Sequence, residues 1–122
     1  MKKRVLVVDD AVFMRNMIKD ILTAGGFEVV GEASNGLEAV EKFKELKPDL
    51  TTMDIVMPFK SGIEATREIV GNDGGATIIM CSALGQESLV MEAIEAGASD
   101  FIVKPFKAED VLNVVRKVLG AA

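Results

Sequence analysis

Short apolar runs alternate along the chain with longer stretches of helical period. Residues 5–8 are four apolar, mostly β-branched residues, a run too short for a helix and typical of a strand buried on both faces. The next stretch has apolar residues three or four positions apart, which predicts one stripe of a helix: Met14, Met17, Ile18, Ile21 and Leu22. The pair Gly25 and Gly26 is predicted to end that helix.

The same alternation continues to the end of the sequence. Four further strands are predicted, at residues 27–30, 50–53, 77–81 and 101–103. Helices are predicted between and after them: from caps at Ser34 and Asn35 up to Pro48, from a cap at Ser61, over residues 86–96 and over 107–119. Strict β-α alternation predicts one α/β domain, with a doubly wound parallel sheet covered by helices on both faces.

Polar side chains stand at the ends of four of these predicted strands. Asp9 and Asp10 follow the first strand, Asp54 the third, Ser82 the fourth and Lys104 the fifth. Ligands of such sheets bind beyond the carboxyl ends of the strands, so the fold would bring these residues to one crevice. One acidic residue at a strand end is more often a solvated loop carboxylate, and it is the combination that favours a functional site.

The residue types in this set indicate a particular chemistry. Three nearby carboxylates repel one another, and a divalent cation relieves that repulsion. All the ligands are hard oxygens, which favours Mg²⁺ over zinc. Phosphoryl transfer needs a nucleophile, charge neutralisation and a hydrogen-bond donor. Asp54 with Mg²⁺, Lys104 and Ser82 would supply them.

Composition narrows the class of protein. The 122 residues are 49% hydrophobic, carry a net charge of −5 and include one cysteine and no histidine. Acidity argues against a chain that coats nucleic acid or an anionic membrane. The absence of histidine excludes Ser-His and Cys-His catalysis and histidine-ligated metal sites. The apolar run after the basic N-terminus is too short for a signal peptide, and we expect a cytoplasmic protein with no membrane or nucleic-acid partner.

Several motifs in the chain resemble those of two-component response regulator receiver domains. They are VLVVDD at residues 5–10, MDIVMP at 53–58, Gly62, IMCSA at 79–83 and VKP at 103–105. They cover almost the whole chain, in order and at similar spacing. Three longer stretches are similar to the stand-alone chemotaxis regulators of this family: residues 11–22, 81–87 and 100–106.

The resemblance implies a fold and a metal site. The fold would be flavodoxin-like, with five parallel strands in the order 2-1-3-4-5 and five helices. Asp54 would be phosphorylated by a histidine kinase. Asp10 would bind Mg²⁺ directly and Asp9 through water, while Asp54 and the main-chain carbonyl of Val56 would complete the protein ligands.

The resemblance also implies a switch. Lys104 would contact the phosphoryl group, and its bond to Pro105 would be cis, which an X-Pro bond permits at modest cost. Ser82 would move to the phosphoryl group, and Phe101 would then swing inward. The output surface would be formed by the fourth helix, the fifth strand and the fifth helix.

These roles imply partners and a domain organisation. We expect a histidine kinase as phosphodonor, a motor switch protein or an adaptor as target, and a phosphatase as a further partner. We expect a monomer that catalyses only its own phosphoryl transfer and autodephosphorylation and is otherwise not an enzyme. Because the sequence ends at Ala122, residues 1–122 are expected to form a receiver domain without an output domain.

Three other functions remain open at this point. A phosphorelay intermediary would use the same chemistry with another partner. A metal-dependent phosphatase would need a second acid two residues after Asp54, where Val56 stands. A flavodoxin-like scaffold without signalling, natural or engineered, would respond to neither Mg²⁺ nor phosphodonors.

We also make predictions for four other side chains near the predicted site. Cys81 lies in an apolar strand and is expected to be an inert buried thiol. Phe59 would either pack on the third helix or touch a partner. Val56 and Leu84 stand two residues after Asp54 and Ser82, where apolar side chains cannot orient a hydrolytic water, so we expect autodephosphorylation that is not especially fast.

Overall fold

A computed structural model describes residues 1–120 as one parallel sheet wrapped by helices. The strands are β1 (Arg4–Val8), β2 (Glu28–Ala33), β3 (Leu50–Asp54), β4 (Ile78–Ser82) and β5 (Asp100–Val103). The helices are α1 (Val12–Ala24), α2 (Gly36–Leu46), α3 (Gly62–Asn72), α4 (Glu87–Glu95) and α5 (Ala108–Val118). The expected domain end at Ala122 lies outside the described residues.

The sheet has the strand order β2-β1-β3-β4-β5, with every neighbouring pair parallel. The flavodoxin-like prediction is therefore confirmed, including the order of the strands. Each of the five residues of β3 and of β4 is buried, because both faces of the sheet are covered. Order 2-1-3 means that the chain reverses direction across the sheet between β1 and β3, and this switch point is where a ligand crevice is expected.

Three strands end later than predicted. Asp54 and Ser82 were expected just after their strands but are the last residues of β3 and β4. The ladders explain the difference, since Asp54 pairs with Cys81 and Ser82 pairs with Val103. Strand β2 likewise extends to Ala33, which pairs with Val8. Asp54 and Ser82 thus lie on the hydrogen-bonded backbone of the sheet rather than on loops.

The core is divided by the sheet into two apolar layers. Alternate residues of β1 enter opposite layers: Leu6 and Val8 face α2 and α3, whereas Val5 and Val7 face α1 and α5. Leu22 on α1 belongs to the second layer, as its place in the predicted helical stripe requires. Each layer anchors the helices that follow the strand ends and so positions the loops of the crevice.

Two of the predicted helix caps are confirmed. Asn35 accepts a hydrogen bond from the Glu38 N–H at the start of α2. Ser61 and Glu64 form a reciprocal capping box at the start of α3. Val40 and Phe43 form the buried apolar stripe of α2, whereas Leu37, one turn earlier, is exposed. Among the described residues, no helix is both long enough and apolar enough to span a bilayer.

Two threonines in β3 are unusual for a central strand. Thr51 and Thr52 are fully buried, and neither hydroxyl has a hydrogen-bond partner. A buried hydroxyl without a partner destabilises the folded state, because unfolding restores its hydrogen bonds to water.

Replacing either threonine with valine should therefore stabilise the protein. Valine has nearly the same shape, so Thr51→Val and Thr52→Val should each raise the free energy of unfolding by about 1 kcal/mol. Urea unfolding followed by circular dichroism measures this. The exposed Thr23→Val is the matched control and should change stability by less than about 0.5 kcal/mol. Destabilisation by both buried substitutions would contradict the prediction.

Candidate functional site

Three carboxylates meet at the carboxyl edge of the sheet. Asp9 and Asp10 follow β1 and Asp54 ends β3, and one oxygen from each lies within 4.8 Å of the others. Asp9 and Asp54 are buried, whereas Asp10 is exposed. The adjacent positions of β1 and β3 in the sheet create this cluster, as the sequence predicted.

The segment after β1 is held by main-chain hydrogen bonds. The Asp9 N–H donates to the Ala33 carbonyl at 3.1 Å, which ties the segment to the end of β2. The Ala11 N–H donates to Asp9 Oδ1 at 2.9 Å. On β3, the Ile55 N–H donates to Asp54 Oδ1 at 2.9 Å. Each buried carboxylate therefore has one oxygen fixed by the backbone.

Among the described residues, Lys104 is the one lysine whose ammonium group contacts the cluster. Its Nζ lies 3.3 Å from Asp9 Oδ2 and 3.3 Å from Asp54 Oδ1. The Lys104 N–H donates to the Ser82 carbonyl at 2.7 Å, so the residue is anchored to the end of β4. The predicted cis bond between Lys104 and Pro105 is present.

The clustered charges shift the pKa values of Asp54 and Lys104. The pKa of Asp54 is raised to about 6, first by burial and then by the negative charge of Asp9, while Lys104 partly offsets both. Burial acts to lower the pKa of Lys104, but the charges of Asp54 and Asp9 together raise it. The two shifts are compatible because Lys104 faces two carboxylates, whereas Asp54 faces one ammonium group and two other carboxylates.

The cluster has the chemistry of a hard-cation site. Asp9 Oδ2 is buried and accepts no hydrogen bond, since Lys104 stands at ion-pair distance without hydrogen-bond geometry. A buried carboxylate oxygen with an ion pair but no hydrogen bond still has lone pairs that a metal ion or a donor can occupy. Carboxylate oxygens from three residues, one of them exposed, suit a metal that keeps part of its water shell. These residues could therefore hold a metal ion.

Close backbone packing holds the segment between β3 and α3. A side chain at Gly62 would place its Cβ 2.0 Å from the Asp54 carbonyl oxygen, so only glycine fits. The Gly62 N–H also donates to the Ile55 carbonyl at 2.8 Å. The start of α3 is thereby fixed directly against the end of β3, and the backbone of Asp54 with it.

Three apolar side chains near the crevice point into solvent. Phe59 is 84% exposed, so the prediction that it packs on α3 is wrong, and contact with a partner stays a prediction. Its φ is 69°, and the Lys60 N–H donates across it to the Pro58 carbonyl at 2.8 Å, which closes a tight turn. Val56 and Leu84 are also largely exposed. The assignment of the Val56 carbonyl as a metal ligand stays a prediction.

Ser82 and Phe101 lie on either side of an apolar cavity of about 230 Å³ between β4, α4 and β5. The Ser82 hydroxyl donates to the Ile102 carbonyl over a long 3.4 Å. The Phe101 side chain is 41% exposed. Both residues line this cavity, and their roles as switch residues stay a prediction. Cys81, next to Ser82, is buried as expected, and burial raises the pKa of its thiol.

Sequence reasoning missed two polar residues beside the cluster. Arg15 on α1 donates from Nη1 to the Asp9 carbonyl at 2.8 Å and from Nε to Glu32 Oε1 at 3.0 Å. Glu32, on β2, has a lowered pKa, chiefly because Lys19 also hydrogen-bonds to it, with a further contribution from Arg15. An arginine on the polar side of a predicted helix looks like an ordinary surface residue, and no local motif marks this pair.

With this geometry, the chain matches a known family of signalling domains. The sequence profile of the response regulator receiver domain matches residues 5–116. The chain is 62% identical over 118 residues to the chemotaxis protein CheY of Thermotoga maritima, covering 97% of this chain and 98% of the relative. It is also 62% identical over 120 residues to CheY of Bacillus subtilis, covering 98% and 100% of the two chains. The chain belongs to the response regulator receiver family.

Solved structures agree with this membership. CheY in the CheX–CheY–BeF₃–Mg complex of Borrelia burgdorferi superposes with a TM-score of 0.91 at 42% identity, covering 95% of this chain and 88% of that one. The response regulator domain of CheB from Thermotoga maritima superposes with a TM-score of 0.89, also at 42% identity, covering 100% and 99%. Within the family, this receiver domain is closely related to the CheY chemotaxis regulators.

The raised pKa of Asp54 predicts how stability depends on pH without metal. In the unfolded chain the pKa of this carboxyl is about 3.9. Protonated Asp54 therefore stabilises the folded state fully below that pH, and this stabilisation is lost as the pH rises through about 6. Asp54→Asn removes the charge and should raise the free energy of unfolding at pH 7.5, by about 2–3 kcal/mol.

Urea unfolding in EDTA at pH 7.5 and at pH 4.5 measures this effect. The gain from Asp54→Asn should shrink toward zero at the lower pH, where wild-type Asp54 is largely protonated. The exposed Asp20→Asn is the control and should change little at either pH. A gain that is absent at pH 7.5, or equal at both values, would contradict the raised pKa.

Proposed function

We propose that this chain is a phosphorylation-activated regulator of chemotaxis that accepts a phosphoryl group on Asp54. The observation that carries the proposal is the common position of a buried carboxylate, two further carboxylates and the Lys104 ammonium group, 3.3 Å from Asp54 Oδ1. Membership of the receiver family agrees with this chemistry. Asp54 is the one cluster residue that lies within a strand. It ends the central strand β3, so its backbone is held in place by the sheet.

The reaction is a transfer from the phosphohistidine of a histidine kinase. A carboxylate oxygen of Asp54 attacks phosphorus, and the P–N bond to the imidazole breaks. The imidazole nitrogen keeps the electron pair and takes a proton from solvent, and the products are an aspartyl phosphate and a neutral histidine. This chain contains no histidine, so the donor is another protein.

Asp9, Asp10, Asp54 and the Val56 carbonyl would hold Mg²⁺. When bound, the ion supplies positive charge to the phosphoryl oxygens. Lys104 stabilises the remaining negative charge, since its ammonium group already lies between Asp9 and Asp54. Ser82 donates a hydrogen bond to a phosphoryl oxygen after leaving the Ile102 carbonyl, and the long 3.4 Å contact that it leaves is a weak one.

Output would come from the surface formed by α4, β5 and α5. Exposed apolar side chains are present on α4 and β5, namely Met91, Ile94, Phe101 and Val103. The cavity of about 230 Å³ gives the Phe101 ring a place to enter once Ser82 moves toward the phosphoryl group. Phosphorylation would thus change a surface that lies away from Asp54.

The partners would be those of chemotaxis signalling. A histidine kinase supplies the phosphoryl group, and a motor switch protein or an adaptor reads the altered surface. A phosphatase would be a further partner. Binding of another protein is supported by the Borrelia burgdorferi relative, which was crystallised in a complex with CheX, BeF₃ and Mg²⁺.

Binding of a phosphoryl mimic tests the proposal. Beryllofluoride with Mg²⁺ should shift backbone NMR signals from Asp54 through Ser82 to Phe101 in the wild type, and Asp54→Asn should show none of these shifts. Mg²⁺ alone should shift signals only near Asp9, Asp10 and Asp54. An unchanged wild-type spectrum with beryllofluoride and Mg²⁺ would rule the function out.

Phosphoryl lifetime should depend on the two exposed side chains beside the crevice. Val56→Asn and Leu84→Gln place groups that can orient water where apolar side chains now stand, so autodephosphorylation should become several-fold faster. The decay of aspartyl phosphate, made with a small phosphodonor, measures the rate.

Leu37→Gln is the control for that measurement, because Leu37 is an exposed leucine at the start of α2 and belongs to neither of the segments that follow Asp54 and Ser82. Its decay rate should equal that of the wild type. Polar side chains at Val56 and Leu84 that leave the rate unchanged would contradict this account of phosphoryl lifetime.

A further inference from the structure

Arg15 connects the acidic cluster to β2. Its Nη1 donates to the Asp9 main-chain carbonyl at 2.8 Å, and its Nε donates to Glu32 Oε1 at 3.0 Å. The Arg15 side chain is only 15% exposed although it carries a full charge. A mostly buried guanidinium group held between two acceptors is ordered in a way that a solvated surface arginine is not.

The position of the Asp9 carbonyl matters because it joins Asp9 to Asp10. The peptide group between these residues determines the direction in which the Asp10 side chain leaves the backbone. Its carbonyl oxygen accepts from Arg15, while the Asp9 N–H on the preceding peptide group donates to the Ala33 carbonyl at 3.1 Å. The segment after β1 is therefore linked to β2 twice. Arg15 bridges the Asp9 carbonyl to Glu32, and the Asp9 N–H bonds directly to Ala33.

We propose that Arg15, anchored by Glu32, is a positioning residue that orients the Asp9–Asp10 peptide and so sets the affinity of the cluster for Mg²⁺. Arg15 does not touch the ion or the phosphoryl group. It holds the two carboxylates in the arrangement that a metal with strict octahedral geometry requires. The inference rests on the proposed function, since it assumes that the cluster binds Mg²⁺.

Lys19 provides a matched control within the same contact network. It pairs with the other oxygen of Glu32, with Nζ 2.8 Å from Oε2, and it also lies on α1. It makes no hydrogen bond or ion pair to the segment after β1. Removing Lys19 takes away a charge and a salt bridge to Glu32 but leaves the contact to Asp9 in place.

The experiment compares Mg²⁺ dissociation constants of the wild type, Arg15→Ala, Arg15→Gln and Lys19→Ala, by NMR titration or calorimetry with the metal alone. Arg15→Ala should weaken Mg²⁺ binding by about tenfold, the usual effect of removing a group that orients metal ligands. Arg15→Gln cannot span both acceptors and should also lose several-fold. Lys19→Ala should stay within about twofold of the wild type.

Urea unfolding of each variant in EDTA separates this role from a purely structural one. For a positioning residue, the loss of metal affinity in Arg15→Ala exceeds that in Lys19→Ala even where the two lose similar stability. Wild-type affinity in Arg15→Ala, or an equal loss in Lys19→Ala, would overturn the inference. If Arg15→Ala does not fold, Arg15→Gln compared with Lys19→Ala decides in the same way. Failure of the wild type to bind Mg²⁺ would instead overturn the proposed function.

Discussion

The mutual repulsion of three carboxylates at one edge of the sheet is the constraint on which the rest of the site depends. Asp9 and Asp54 are buried, yet Lys104 is the one ammonium group that reaches them within residues 1–120. Without a cation, burial and the charge of Asp9 raise the pKa of Asp54, so the cluster is poised to gain positive charge. A divalent metal ion would supply that charge, and a phosphoryl group bound beside it would bring negative charge that the ion and Lys104 would offset.

The strand that carries Asp54 gives this constraint a rigid frame. β3 pairs with β1 on one side and with β4 on the other, and both faces are buried. Gly62 further holds the backbone of Asp54 against the start of α3. Chemistry at Asp54 therefore has little freedom to shift its own backbone. Under the proposed function, a signal would leave through side chains with room to move, and Ser82 and Phe101 border a cavity that offers it.

Much of this arrangement could be predicted from the chain alone, because it depends on patterns that extend over a whole strand. Alternation of apolar runs and helical stripes predicts the sheet, and the polar residues at strand ends predict the cluster. The contacts of Arg15 depend instead on one side chain crossing from α1 to β2, which no periodicity encodes. The exposed position of Phe59, which has a positive φ, and the unpaired hydroxyls of Thr51 and Thr52 likewise depend on local geometry and packing that no periodicity encodes.

Burial of Cys81 has a practical consequence for the study of this protein. It is the one cysteine in the chain, and burial raises the pKa of its thiol, so little reactive thiolate is present near neutral pH. A cysteine introduced on the surface would then be the one thiol open to alkylating labels. Fluorophores or spin labels could be attached at single chosen positions without first removing the native residue, and the central sheet would keep its packing.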